Sequence, residues 1–197
     1  MKKYNPLRIK LFILGKILKS DSKAIAVVGA RKMTERGRRL TLDFVEELVR
    51  AGFTIVSGLA RGIDTIAHEE ALASGGRTIA VLGSGIDVIY PYRNKLLAEA
   101  IAKSGAVVSA FPKGTKPFGK NFLARNRIIV NLSKAVLVIE GARRSGTLST
   151  ASWAANDGKE VFAIPGSEAT DWLIEQGANV ANKPSDILEY FNAVNNR

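Results

Sequence analysis

The sequence predicts a doubly wound α/β domain in which a mostly parallel sheet is covered by helices on both faces. The first observation is a set of short apolar runs without polar alternation, which is typical of strands buried on both faces. The second is that segments with helical periodicity separate these runs, so β-α units with right-handed crossovers repeat along the chain. The runs lie at residues 25–28, 53–56, 78–82, 106–110, 135–139 and 161–164.

The helical segments and the chain ends complete this architecture. In the first helix Leu40, Phe44 and Leu48 recur at the helical period, and an Ala-Gly pair ends it. An apolar stretch at 10–14 adds an edge strand. Because no linker or repeat divides the chain, residues 1–197 are expected to form one domain, with an N-terminal extension (1–22) and a C-terminal helix (185–197). Further helices are predicted at about 65–74, 94–104, 121–132, 147–157, 169–176 and 185–193.

The composition argues against several classes of protein. Apolar residues make up 46% of the chain, and no run reaches the roughly 20 apolar residues that span a bilayer. Without cysteine there are no disulfides or thiolate ligands, and a single histidine argues against a zinc site or a Ser-His triad. That histidine, His68, is expected to pack or to form a hydrogen bond. We therefore expect a cytoplasmic protein with no secretory signal, membrane partner, metal or cofactor.

The net charge of +11 and the pI near 10.0 favour a polyanionic partner, either nucleic acid or an acidic membrane surface. The cations are clustered, and no acidic residue lies between Glu99 and Glu140. Clustering indicates a charged patch and favours nucleic acid, although each cluster could instead be a solvated face. One cluster is Arg31, Lys32, Arg36, Arg38 and Arg39; the other is Lys103, Lys113, Lys116, Lys120, Arg125, Arg127 and Lys134.

The most unusual segments follow the strands, which is where doubly wound sheets bind their ligands. Glycine combined with Arg or Ser in most of them indicates a basic crevice lined by backbone. In the first, Gly29 and Arg31 precede a helix with Thr34 as its N-cap, so an anion is expected on the helix N–H groups and the guanidinium. A tight turn with a solvated arginine is the alternative. The segments are 29–31, 57–64, 83–87, 111–116, 140–147 and 165–167.

The second segment, "SGLARGID", carries two glycines, an arginine and an aspartate. Its first two residues let the chain leave the sheet, and the backbone from Gly58 to Gly62 with Arg61 is predicted to form a phosphate cradle. Asp64 is predicted to cap the following helix by accepting its free N–H groups.

Two nucleotide-binding motifs are incomplete. The segment "GSG" at 83–85 has Val88 where a dinucleotide fingerprint has its third glycine, so NAD binding is not expected. The stretch 114–121 approaches the P-loop pattern, but Asn121 has no hydroxyl for Mg²⁺ and Pro117 has no N–H. The sequence therefore predicts no ATP hydrolysis.

Aromatic residues alternate with cations between residues 111 and 127. This combination suits single-stranded nucleic acid, whose bases stack while its phosphates are neutralised. Of Phe111, Phe118 and Phe122, we expect Phe122 to belong to the core.

Two more features of the second half of the chain suggest anion binding. Arg125 and Arg127 share a predicted helix but not a helix face, so one is expected to bind ligand and the other to brace a loop. The segment 144–147, "RSGT", resembles a second anion nest, with backbone N–H groups and hydroxyls at a helix start.

Together these residues resemble the DNA-processing protein A family (DprA/Smf). The matching stretches run in order from about residue 10 to 190: "VVGARK", "FTIVSGLARGIDTIAHEEAL", "GGRTIAVLGSGIDVIYP", "NFLARNRIIVNLS", "RSGTLSTA", "GKEVFAIPGS" and "WLIEQGA". The resemblance implies an extended Rossmann-like core that binds single-stranded DNA, forms a homodimer and delivers the DNA to the RecA recombinase in natural transformation. The loops and the resemblance together predict these DNA-binding residues: Gly29, Arg31, Lys32, Ser57, Gly58, Arg61, Gly62, Tyr92, Arg93, Lys120, Arg125, Arg127, Arg144, Ser145 and Gly146.

The sequence departs from the family pattern in three places. Many relatives carry a helical domain before the core and a winged-helix domain after it, and neither is expected within 197 residues. Tyr92 stands where a basic residue often follows Tyr-Pro, so either Arg93 substitutes for it or Tyr92 stacks on a base. The segment after 165–167 is several residues short, in the part of the core where the family dimerises and meets RecA.

Three functions are compatible with these observations. The first is a non-catalytic recombination mediator that protects incoming single-stranded DNA and loads RecA. The second is a phosphoribohydrolase of the related "lonely guy" type, whose PGGxGTxxE segment has a glutamate where Thr150 stands; threonine cannot stabilise an oxocarbenium-like sugar as a carboxylate does. The third is a sensor of a small nucleotide in the same crevice. We favour the first and predict no catalytic residue.

Overall fold

The structure, a computed structural model, describes residues 10–143 and 145–195. In this part of the chain the strands are β1 (Phe12–Gly15), β2 (Ala24–Val28), β3 (Thr54–Ser57), β4 (Thr78–Gly85), β5 (Ala106–Phe111), β6 (Ala135–Val138), β7 (Glu160–Ala163) and β8 (Asn179–Val180). They form one sheet in the order β1-β5-β4-β3-β2-β6-β7-β8. Among the strands of the described residues, only the β1–β5 pair is antiparallel. The predicted doubly wound α/β class is confirmed.

Helices cover both faces of this sheet. They are α1 (Glu35–Arg50), α2 (Ile63–Ala73), α3 (Lys95–Ser104), α4 (Gly119–Asn131), α5 (Gly146–Asn156), α6 (Glu168–Glu175) and α7 (Pro184–Asn195). Helices α4, α5 and α6 share one apolar layer, and α1, α2, α3 and α7 pack on the opposite face.

Strand β2 shows why the strands appear as continuous apolar runs. Its residues alternate between the two layers: Ala26 and Val28 face α4 and α5, whereas Ile25 and Val27 face α1 and α2. All four are at most 5% exposed. Because both faces of the strand are buried, neither can carry polar side chains.

The chain ends agree with the predicted pattern except at one strand. Strand β1 overlaps the apolar stretch at 10–14, ends one residue beyond it at Gly15, and pairs with β5 at the edge of the sheet. Strand β8 was not predicted, since its two residues form no apolar run. Residues 1–9 of the predicted N-terminal extension lie outside the described residues. No helix in the described part of the chain is long and apolar enough to cross a membrane.

The strand order reverses at β2. The chain builds β3, β4 and β5 on one side of β2, then returns to build β6, β7 and β8 on the other. The parallel strands all end at one edge, and the helices that follow them begin there. Ligands of such sheets bind at this switch point, which here lies between the ends of β2 and β6.

His68 lies below this edge and is fully buried in α2. Its Nδ1 is 2.6 Å from the Thr78 hydroxyl, so the predicted packing or hydrogen-bonding role is confirmed. Burial, together with the nearby charge of Arg125, lowers the pKa of His68 to about 3. The imidazole is therefore neutral in the folded protein at pH 7.

The depressed pKa predicts a loss of stability in acid. Between pH 6.5 and about 3 the unfolded chain binds a proton at His68 that the folded chain does not, so stability falls as the pH falls through this range. At pH 5 we expect this histidine to cost about 2 kcal/mol relative to pH 7. Denaturant unfolding of the wild type and of His68→Gln at both pH values measures the difference. An identical pH dependence of the two proteins would show that His68 is not the group responsible.

Candidate nucleic-acid interface

A cavity of about 1050 Å³ opens at the switch point. Its wall contains the residues that follow β2 and β6, and the starts of α1, α4, α5 and α6. Sites for drug-sized ligands occupy roughly 300–1,000 Å³, so this cavity is large enough for a ligand of nucleotide size. Of the predicted DNA-binding residues, it is lined by Gly29, Arg31, Lys32, Arg125, Ser145 and Gly146.

Phe122 is the aromatic side chain on the cavity wall. The Cζ atoms of Arg31 and Arg125 lie 5.2 Å and 5.7 Å from its ring centroid, within cation–π range. The ring packs over Gly83, where an added Cβ would overlap it. The expectation that Phe122 belongs to the core is wrong, because its ring is only partly buried and lines the cavity.

Arg125 lies beneath the "SGLARGID" loop and is only 3% exposed. Its Nη1 donates to the Val81 carbonyl at 3.2 Å and is 3.9 Å from Asp64 Oδ2. A Cβ at Gly58 would overlap the guanidinium, so this position requires glycine. Arg125 is therefore the arginine that braces a loop. Only the side of its guanidinium next to Phe122 lines the cavity.

Asp64 does not cap α2, contrary to prediction. It lies in the first turn of the helix, and its Oδ2 accepts the backbone N–H groups of Gly58 (3.2 Å) and Ala60 (3.4 Å). The predicted phosphate cradle is wrong for these two groups, because they are already bonded. Burial raises the pKa of Asp64, and the charge of Arg125 opposes this effect.

The remaining glycine of this loop also serves a contact within the protein. Gly62 is the N-cap of α2 and has φ of 76°, and a Cβ there would overlap the Ala30 carbonyl oxygen. Ser57 is fully buried and donates to the Val27 carbonyl at 2.7 Å, so its side chain ties β3 to β2 instead of contacting DNA as predicted. The side chain of Arg61, in the same loop, is exposed to solvent.

The start of α1 is occupied by a carboxylate of the protein itself. Thr34 is the N-cap, as predicted, and accepts the Gly37 N–H. Its own N–H and hydroxyl donate to the buried Glu140 at 2.7 Å and 2.6 Å. The predicted open anion site on α1 is therefore wrong. Glu140 was overlooked, although it is the only acidic residue between Glu99 and Asp157.

The starts of α4 and α5 have no side-chain cap, unlike that of α1. Gly119 and Gly146 have nothing within 4 Å of an added Cβ, so both helix starts are accessible from the cavity. Uncapped helix N–H groups favour an anion. Arg144, predicted to belong to the anion nest at the start of α5, lies outside the described residues.

The other predicted contacts are exposed outside the cavity wall. Tyr92 is 77% exposed, and Arg93 beside it is also exposed, near the end of β4. Lys120 is exposed on α4. Arg127 is exposed on the same helix and stacks on Trp153 of α5, with its Cζ 4.8 Å from the ring centroid.

The family model for DNA recombination-mediator protein A matches residues 1–192. The chain belongs to this family. Protein Smf of Escherichia coli is 48% identical over 186 residues, which cover 91% of this chain and 50% of that protein. The DNA processing protein DprA of Streptococcus pneumoniae is 40% identical over 189 residues, 93% of this chain and 67% of that protein. The resemblance inferred from the sequence motifs is confirmed.

Solved structures of recombination-mediator relatives have the same fold. The DprA of S. pneumoniae has a TM-score of 0.86 at 40% identity, covering 91% of this chain and 65% of that one. A Helicobacter pylori DprA, described for its single-stranded DNA binding mode, has a TM-score of 0.85 at 31% identity. The match covers 93% of this chain and 86% of that one. This chain spans about half the length of the E. coli and Synechocystis relatives.

Proposed function

We propose that this chain binds single-stranded DNA in the cavity at the carboxyl ends of β2 and β6. The observation that carries the proposal is the Phe122 ring on the cavity wall, flanked by the guanidinium groups of Arg31 and Arg125. Bases can stack on such an assembly of an aromatic ring and guanidinium groups, while the cations neutralise neighbouring phosphates without reading the sequence. The DNA binding described for the H. pylori relative supports the same ligand.

The proposal includes the role of a recombination mediator. A homodimer of this chain would protect incoming single-stranded DNA in the cytoplasm and load a RecA-type recombinase on it in natural transformation. The family description and the similarity to two DNA processing proteins support this role.

We further propose that the chain is not an enzyme. Thr150, where the related phosphoribohydrolases have a glutamate, is 2% exposed. The carboxylates on the cavity wall already have partners: Asp64 accepts two loop N–H groups, Glu140 is bonded to Thr34, and Glu168 accepts the Arg143 N–H. The Thr150 position therefore supplies no carboxylate to stabilise a developing positive charge on a sugar.

Titration with oligo(dT), duplex of the same length and free dTMP tests the proposal. We expect oligo(dT) to bind more tightly than either competitor. If about four to six phosphates are neutralised, log K should fall against log[salt] with a slope of roughly −3 to −4. A slope near zero or a preference for duplex would refute the proposal, and tighter binding of dTMP would favour the nucleotide sensor.

A further inference from the structure

The surface formed by α4 and α5 carries positive charge, and neither helix contains an acidic residue. Between Glu99 and Asp157 the one acidic residue is Glu140, which is buried. Helix α5 contains no charged residue at all. On α4, Lys120 and Arg127 are exposed seven residues apart, which places them on one face about 10 Å from each other along the axis.

Arg127 and Trp153 form an ordered pair on this surface. The guanidinium lies over the indole, and the two side chains belong to neighbouring helices. A guanidinium over an aromatic ring keeps its N–H groups available, and these can fork onto a phosphate. Because Arg125 is the arginine that braces the loop, Arg127 is available to bind a ligand.

The surface continues the cavity wall. Leu123, 53% exposed, and Asn126 both line the cavity and lie on α4 between Lys120 and Arg127. Asn126 also holds the two helices together, since its Nδ2 donates to the Gly146 carbonyl at 3.1 Å and to the Ser149 hydroxyl at 3.0 Å. A strand leaving the cavity between the starts of α4 and α5 therefore meets Arg127 about 12 Å further along.

We propose that the α4–α5 surface is a second contact site for single-stranded DNA, in which Arg127 stacked on Trp153 binds the backbone of the strand leaving the cavity. The inference rests on the proposed function of the cavity. Charge complementarity and continuity with the cavity wall select a nucleic acid strand as the occupant. The site would lengthen the bound segment without contributing to the binding of a short oligonucleotide.

The test compares two-nucleotide and twenty-nucleotide oligo(dT) by fluorescence anisotropy, because a dinucleotide in the cavity is too short to reach Arg127. Arg127→Ala is expected to weaken binding of the long oligonucleotide about 3- to 10-fold, to make its salt slope less negative by about 0.7, and to leave the short one unchanged. Trp153→Phe should retain most of the binding, because a ring remains beneath the guanidinium. Arg39→Ala, which removes an exposed cation on α1, is the matched control and should change binding of neither oligonucleotide by more than about 2-fold.

The outcomes separate this inference from the proposed function. If Arg127→Ala weakens both oligonucleotides equally, or no more than Arg39→Ala does, the second site is refuted while the cavity proposal stands. If the wild type binds neither oligonucleotide, or Arg31→Ala leaves binding of the short one unchanged, the proposed function of the cavity fails instead.

Discussion

Replacing Arg31 by alanine is expected to weaken oligo(dT) binding about 10- to 150-fold. Arg31 leaves β2 at the mouth of the cavity, and its guanidinium lies over Phe122, where bound DNA would exclude part of the water. A charge-assisted hydrogen bond to a phosphate in such a position contributes about 1.5–3 kcal/mol. The measurement is the dissociation constant at one fixed salt concentration.

Arg39→Ala is the matched control for this variant. Arg39 is an exposed cation on α1 and acts on the DNA only through screened, long-range charge, so its loss should cost well under about 1 kcal/mol. Both variants should melt within a few degrees of the wild type, because both side chains are exposed. Equal losses of affinity would mean that the charge acts diffusely and that the cavity is not the binding site.

Replacing Asp64 by alanine is expected to destabilise the fold by about 3–5 kcal/mol. The change leaves the Arg125 guanidinium buried without its carboxylate partner, and breaking a buried ion pair from one side has a cost of this size. It also leaves the N–H groups of Gly58 and Ala60 without their acceptor. Denaturant unfolding at pH 7 measures the loss.

The double variant Asp64→Ala with Arg125→Met separates the ion pair from the rest of the site. Removing both charges and filling the volume with an apolar side chain should recover much of the stability lost in Asp64→Ala, because no unpaired charge is left buried. A single variant within about 1 kcal/mol of the wild type would contradict the bracing role assigned to Arg125. The same would follow from a double variant less stable than the single one.

The sequence predicts the sheet well because its strands are buried on both faces. Apolar runs such as Ile25 to Val28 are buried on both faces of the sheet, and six runs of this kind identify six of the strands. Strand β8 escapes prediction because Asn179 and Val180 show no periodicity. Thr34 is predictable as an N-cap because its hydroxyl accepts the N–H of Gly37, only three residues away in the sequence.

The site is less predictable because its contacts join distant parts of the chain. Glu140 accepts a hydrogen bond from the N–H of Thr34, which is 106 positions away in the sequence. Arg125 contacts the carboxylate of Asp64 from another helix. Local patterns therefore assign the glycines of the "SGLARGID" loop to a ligand, whereas Gly58 makes room for Arg125 and Gly62 for the Ala30 carbonyl. Phe122 is misassigned for a similar reason, because the sequence does not show that the first turn of α4 faces a cavity.

The account depends most on the claim that a DNA base stacks against Phe122 and the Arg31 guanidinium that lies over it. Ultraviolet cross-linking of six-nucleotide oligo(dT) to the protein, followed by mass spectrometry of the peptides, tests this claim directly. We expect the principal adduct on the peptide that contains Phe122, and its loss in Phe122→Leu with the fold retained. Adducts confined to α7 or β8, far from the switch point, would contradict the account.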